Sequence, residues 1–411
     1  MTIAPTRIET DAERAFREGA EALIARAPGD DTTARRGLLR LFTESGLPDR
    51  HDENYHYTDL RKMLRQPYKP ALAGGIVGAS NPRKQKIGTR LESDVATFVD
   101  GKPDIPVGSL GFPVYDSLNN VNALLTPGAA AISILPGQER SLMLDYAVTA
   151  EAGSSVHPRC VIEVGEGAVL NLIELHESSG DHLTNAYTEI VVGSRAVVRH
   201  VKLLAEVGSI HLAKVIAVVQ TGARYESLVL AAGPRLARHA VSTVFGGIGA
   251  SAEVNCVALA AREEHIDFNV FMDHEEGRCV SAQETRVVAA DRARCVSQGR
   301  VRVSAPGSDA RQMIRGLIIG ERAEIDAKPE LEILNDVKAS HGTALGDLDA
   351  EAIFYLRSRG VPEQEARALL IEAFLAEILD KARHEGARAL LKKRTQAWLP
   401  ELPGREEAPH G

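Results

Sequence analysis

The chain has 411 residues, 44% apolar and 25% charged, the proportions of a soluble globular protein with room for one elongated domain or two to three compact ones. Its net charge of −8 argues against a whole-chain nucleic-acid role, which needs a basic face. No run of about 18 apolar residues occurs and the acid-bearing N-terminus lacks the apolar stretch of a signal peptide, so neither a membrane span nor secretion is expected and a cytoplasmic location follows.

Residues 1–90 read as a helical region. Ala15, Phe16, Ala20, Leu23 and Ile24 recur at helical spacing up to the Pro28-Gly29-Asp30-Asp31 stop. A second helix, capped by Thr32 or Thr33, runs through Leu38, Leu39 and Phe42 to Gly46-Leu47-Pro48. The aromatic-dense stretch from Asn54 to Leu60 is expected to pack this region onto its neighbour. Residues 66–110, rich in Pro, Gly, Lys and Arg, read as loop or linker.

Residues 91–335 open with that linker and then change character. Short alternating strands such as Val161–Val164, Val169–Leu175, Val197–Leu204 and Val215–Val219 are punctuated by Gly, Ser, Asn and Asp, with no helix between them. Small turn residues recur at Ala168, Ala196, Ala223, Ala250 and near Arg278, a period of about 27 residues. A unit of that length holds two strands and two turns, the coil of a flattened β-solenoid, which closes its core only by stacking on its neighbours. Small aliphatic side chains can fill such an interior, in keeping with an aromatic content of only 4%. A β-sandwich also gives alternating strands, but not a steady double-turn period.

Residues 336–411 return to helix. Leu348-Asp349 leads into Ala352, Ile353, Tyr355 and Leu356, with a stop at Gly360-Val361-Pro362. Ala366, Leu369, Leu370, Ala373 and Phe374 mark the next helix, and Ala387–Trp398 a last one. The tail ELPGREEAPHG is expected to be disordered. Helices at both termini would cap a solenoid and hide its edges.

Few motifs carry chemistry. The four cysteines form no CxxC pair and read as buried thiols. Gly101-Lys102 lacks the glycines of a phosphate loop, so no ATP hydrolysis is expected in this chain. Gly246-Gly247-Ile248-Gly249 reads as a solenoid turn and the Gly74–Gly78 stretch as a flexible loop. His176 and His182 flank an acidic stretch that suits either a metal site or a polar loop. His265 and His274 lie nine residues apart, which puts them on opposite faces of a strand. His341 stands in DVKASHGTALGDLD, read as a small polar loop between the strand Lys328–Ile333 and the first C-terminal helix. Its imidazole is the leading candidate metal ligand.

Four stretches go further. They are KPELEILNDVKASHGTALGDLDAEAIFYLRSRGVP, the preceding DARQMIRGLIIGERAEIDAKPELEI, the block HIDFNVFMDH, and ENYHYTDLRKML near the N-terminus. Together they resemble the SufB/SufD family of iron–sulfur cluster assembly proteins, and its SufD branch more than its SufB branch. The resemblance implies a right-handed parallel β-helix flanked by N-terminal and C-terminal α-helical regions. It implies a non-catalytic scaffold subunit that works with a SufB-like subunit and a SufC-like ABC-type ATPase, in which ATP is hydrolysed. A homodimer without SufB is a further state it allows. A transient iron–sulfur cluster would be shared with SufB, and this chain alone would hold none stably. By the same resemblance the final strands make the contact with SufB, and the helical region after Asp347 docks the ATPase through Asp349, Phe354, Tyr355, Arg357, Arg359 and Gly360. His341 takes the place of the cluster-related histidine, with Lys338, Ser340 and Gly342 as motif support. SufB-type chains carry a cysteine where this chain has Ala339, so the thiolates are expected from the partner. Two rivals remain at this point: a β-helix polysaccharide lyase or hydrolase, and a structural solenoid that self-assembles.

Overall fold

The computed structural model describes residues 7–26, 29–71, 94–105, 107–108 and 117–401. The Gly74–Gly78 stretch and the tail beyond Glu401 lie outside them.

Two long parallel sheets face each other, and the chain passes from one to the other at every strand. In one sheet the pairing runs Val169, Val197, Arg224, Ser251, Val280, Asp309, Lys338, each residue beside the next and 27–29 positions on. In the other it runs Leu183, Ile210, Leu236, His265, Arg294, Glu324. This is a parallel β-solenoid of about eight turns, with the double-turn period read from the sequence.

The period is set at one turn. Gly167, Arg195, Gly222, Gly249, Arg278 and Gly307 all take the left-handed backbone, with φ between 58° and 74°. Each donates its N–H to a carbonyl in the next coil, as Gly167 does to Ser194 at 2.9 Å and Arg195 to Thr221 at 2.9 Å. The residue after it is small and fully enclosed at Ala168, Ala196, Ala223 and Ala250. Gly249 belongs to this series, so the Gly246–Gly249 run is a solenoid turn.

Three apolar clusters follow from strand alternation. Inward residues such as Ile190, Val192, Val215, Val254 and Val301 fill the lumen. The outer face of the first-listed strands, through Leu175, Leu203, Leu230 and Leu259, carries helices α6 (Glu363–Leu379) and α7 (Glu385–Trp398) by way of Ile371, Leu375, Leu391 and Trp398. The opposite sheet, through Leu183, Ile210, Leu212 and Leu236, carries α1 (Asp11–Arg26), α2 (Gly29–Ser45), α3 (Leu60–Met63) and α4 (Ser117–Leu125). The second helix thus begins at Gly29, ahead of the threonines expected to cap it. The aromatic stretch does anchor this region: Tyr55 is buried under the Arg238 guanidinium, 4.0 Å from its ring.

The two ends of the solenoid differ. At the start, the short antiparallel strands Lys102–Pro103 and Val107–Gly108 lie along the first strands and blunt them. At the finish, Glu324–Ile333 and Lys338–Gly346 are the outermost strands of their sheets, and no described residue pairs with their outer edges. The stretch read as a small polar loop around His341 is therefore a strand, and the solenoid continues past residue 335 to Gly346. Its Ser, His and Gly content carries no strand signal; the ladder along Asp309–Leu317 decides its conformation.

Candidate functional site

Register places His341 beside Gln312, which lies beside Gln283, then Val254, Ser227 and His200. This is one inward-facing column of the lumen, with Gln312 donating to Gln283 at 3.3 Å. His341 ends that column and is exposed because no coil follows it. Ala339 and Thr343 share its face by alternation, while Lys338 and Ser340 are exposed beside it. Gly342 lies against Met313, whose flexible thioether end would have to move aside for a Cβ, 2.8 Å from Cε.

A thiolate at this mouth cannot come from nearby. All four cysteines are buried and free. Burial pushes every one of their thiols up, Cys256 to about 12. Cys295 sits in the other sheet between Ile266 and Ile325. The mouth therefore offers an imidazole and no thiolate.

The docking residues expected from the sequence gather on α5 (Ala350–Ser358). The Asp349 carboxylate caps it by accepting from Glu351 N at 2.9 Å and Ala352 N at 3.3 Å. Gly360, at φ 88°, ends the turn that follows. No residue of α5 is buried. Phe354 and Tyr355 are 74% and 57% exposed, with Arg359 stacked 5.2 Å from the Tyr355 ring. Arg357 is held by Glu363 at 3.0 Å. Helix α6 beyond it is fastened to the solenoid: Lys381, just past its end, bridges Glu284 at 2.8 Å and Glu253 at 2.9 Å, and Arg286 reaches Glu377 and the Phe374 carbonyl.

The remaining histidines resolve into distinct settings. His265 faces outward and meets Thr58 Oγ1 at 2.9 Å, whereas His274 faces inward and meets Ser281 Oγ at 2.8 Å, on opposite faces as alternation requires. His176 and His182 are both enclosed, among neighbours that no local pattern announces. Glu174 lies 2.8 Å from Lys202 and 3.1 Å from His200. Burial raises the Glu174 carboxyl, but the Lys202 ammonium beside it holds it well below the usual carboxylate range. These charges come from strands one coil apart, so only the register brings them together.

The chain is thus a parallel β-solenoid protein with helices on both flanks and a last coil left open. The model for the SUF system FeS cluster assembly SufBD core domain covers residues 146–374, more than half of the chain. The chain belongs to the SufBD family of iron–sulfur cluster assembly proteins. It is 30% identical over 391 residues to the iron–sulfur cluster assembly protein SufD of Escherichia coli, covering 88% of this chain and 92% of that one. It is also 30% identical over 398 residues to a SufBD family protein of Synechocystis, covering 84% and 86%. A SufBD family protein of Mycobacterium leprae is 26% identical over 347 residues, covering 82% and 86%. No helix among the described residues is long and apolar enough to cross a membrane.

Proposed function

We propose that this chain is the SufD-type, non-catalytic subunit of a scaffold on which an iron–sulfur cluster is built and then passed to apo-proteins. Its partners are a SufB-like subunit, which meets the last coil, and a SufC-like ATPase, which meets α5. The observation that carries this reading is the open end of the solenoid with His341 at its mouth.

Two sheet edges ending in the same plane form a template for strand addition. They are not equivalent. Lys338 donates its N–H to Ser308 at 3.0 Å, so in a parallel ladder the N–H groups of Ala339, His341, Thr343 and Leu345 point to the open side. In the other sheet Glu324 donates inward to Ala293 at 3.0 Å, and Pro329, in the outward phase, has no N–H to offer. The edge that bears His341 is thus the better one for pairing. A partner strand laid there brings its side chains beside the imidazole. Iron–sulfur clusters are held mainly by thiolates, with imidazole replacing them at some irons. With Ala339 beside His341, the thiolates come from the SufB-like side, and the cluster is cargo shared across the joint.

The exposed aromatic pair on α5 suits an anchor for the ATPase. Closure of the ATPase dimer on ATP would pull α5, and the fastened α6 would carry that pull to the strands near the open end. The test is His341→Ala in a complex reconstituted with the SufB-like and SufC-like subunits. Complex formation is expected to survive while cluster build-up, followed by absorbance under anaerobic conditions, falls at least about tenfold. Wild-type rates of build-up would remove the ligand role.

A further inference from the structure

We propose that the solenoid interior holds a divalent transition-metal ion, with zinc as the default occupant, on His176, Glu206 and His211. His176 closes the strand Val169–His176, Glu206 lies in the link after Leu204, and His211 begins the strand Ile210–Val219. All three are buried, and one donor atom of each lies within 4.8 Å of the others. Metal–ligand distances of about 2.0–2.2 Å put tetrahedral ligands about 3.4 Å apart. The bound of 4.8 Å exceeds that spacing, so binding would draw the three side chains together.

Three observations point to a ligand rather than to packing. First, neither ring nitrogen of His176 has a hydrogen-bond partner, nor has Nε2 of His211. Nε2 of His176 stands 3.5 Å from Glu174, too far for a good bond, and that carboxylate is already taken by Lys202 and His200. Buried polar nitrogens left bare are costly, so an occupant that accepts a lone pair answers a real deficit.

Second, the two buried carboxylates are not equally matched. Lys202 pairs with Glu174 at 2.8 Å. Among the described residues no lysine or arginine pairs with Glu206, whose contacts are His211, Thr184 Oγ1 at 2.7 Å and His182 at 3.6 Å. An enclosed carboxylate calls for a cation, and a metal ion among these side chains supplies it.

Third, His176 is held in place. Its ring lies flat on Tyr146, 4.1 Å away and 6° from parallel, which fixes its orientation. Two imidazoles and a carboxylate form a donor set that zinc takes with one position to spare, and the Irving–Williams order favours zinc over manganese or iron on such a set. With the site enclosed, the ion enters as the coils close around it. This site lies apart from the His341 mouth and does not depend on the role proposed for it.

The test is the metal content of the full chain purified from zinc-supplemented culture, read by mass spectrometry and by X-ray absorption at the zinc edge. Expected are about one zinc per chain and a ligand shell of imidazole and carboxylate. His211→Ala and His176→Phe, the latter keeping the stack on Tyr146, should lower the content at least about tenfold, while His341→Ala should leave it unchanged. A wild-type chain without stoichiometric metal overturns the proposal. Sulfur ligation, all-oxygen ligation, or loss of zinc in His341→Ala overturns it as well. If the inner variants do not accumulate as folded protein, the absorption spectrum of the wild-type chain decides.

Discussion

Asp267 lies on the outer face of its strand yet is wholly enclosed, because the segment from Asn54 to Thr58 covers it. Arg238, from the neighbouring coil, pairs with it, stacks on Tyr55 and donates to the Asn54 carbonyl at 2.7 Å. This ion pair inside the solenoid therefore also anchors the N-terminal region, through Asn54, Tyr55 and Thr58. Asp267→Ala leaves the guanidinium buried and unpaired, and urea unfolding should record a loss of about 3–5 kcal/mol. A cost under about 1 kcal/mol would show that water reaches the site. A second residue-scale effect depends on pH. Burial pushes His157 down to about 3, against roughly 6.5 in an unfolded chain. Between those values the unfolded chain takes up a proton that the folded one refuses. Its contribution is complete above about pH 6.5 and is lost as pH falls towards 3, on the order of 1.4 kcal/mol per pH unit. Denaturation midpoints from pH 7.5 to 4.5 test this at about unit intervals. His157 bonds Ser155 at 3.0 Å and meets the Phe16 ring edge-on, and His157→Phe should flatten the slope. None of these partnerships was legible in the sequence. Alternation places Asp267 and His265 outside, but no letter says which other element covers that face.

At the scale of elements, α5 combines an ordinary sequence with an unusual setting. Its Ala352, Ile353, Tyr355 and Leu356 read as an ordinary helix, yet Phe354 and Tyr355 stay 74% and 57% exposed among the described residues. Replacing either by alanine should change thermal stability by less than about 0.5 kcal/mol, since neither is packed. The same changes should weaken binding of the SufC-like subunit by about 2 kcal/mol, roughly thirtyfold, in calorimetry. Equal binding by both variants would move the docking site elsewhere. The helices at both ends and the solenoid period were legible, each for a physical reason. A helix buries one stripe, and a coil must return to the same small, left-handed turn every 27–29 residues. The last strand was not legible, because Ser-His-Gly-Thr has the composition of a loop and only the neighbouring strand makes it extend. Local pattern made His341 a candidate ligand, and the family resemblance added the expectation that its ligand role concerns a cluster shared with a partner.

Taken as a whole, the molecule is finished at one end and unfinished at the other. Thr343→Pro removes one outward N–H from the open edge and leaves the inward ladder intact. The variant should fold with an unchanged circular dichroism spectrum, yet fail to co-elute with the SufB-like subunit in gel filtration; co-elution at wild-type strength would rule out strand pairing at this edge. The pairing distance of 27–29 residues has a further consequence, for how the chain becomes ordered. Every strand is stabilised only by those one coil away, so folding advances as a front from coil to coil, as in other one-dimensional arrays. Helices α6 and α7 interrupt that simplicity. They lie across the strands that begin at Arg224, Ser251 and Val280, with Arg394 bonding the Ala232 carbonyl at 2.7 Å and Lys381 joining two coils at once. The middle of the array is thereby clamped into one cooperative block. The final coil stands beyond that clamp, held on one side only. It is the last to set and the first to fray, and a subunit that seats there also completes the fold.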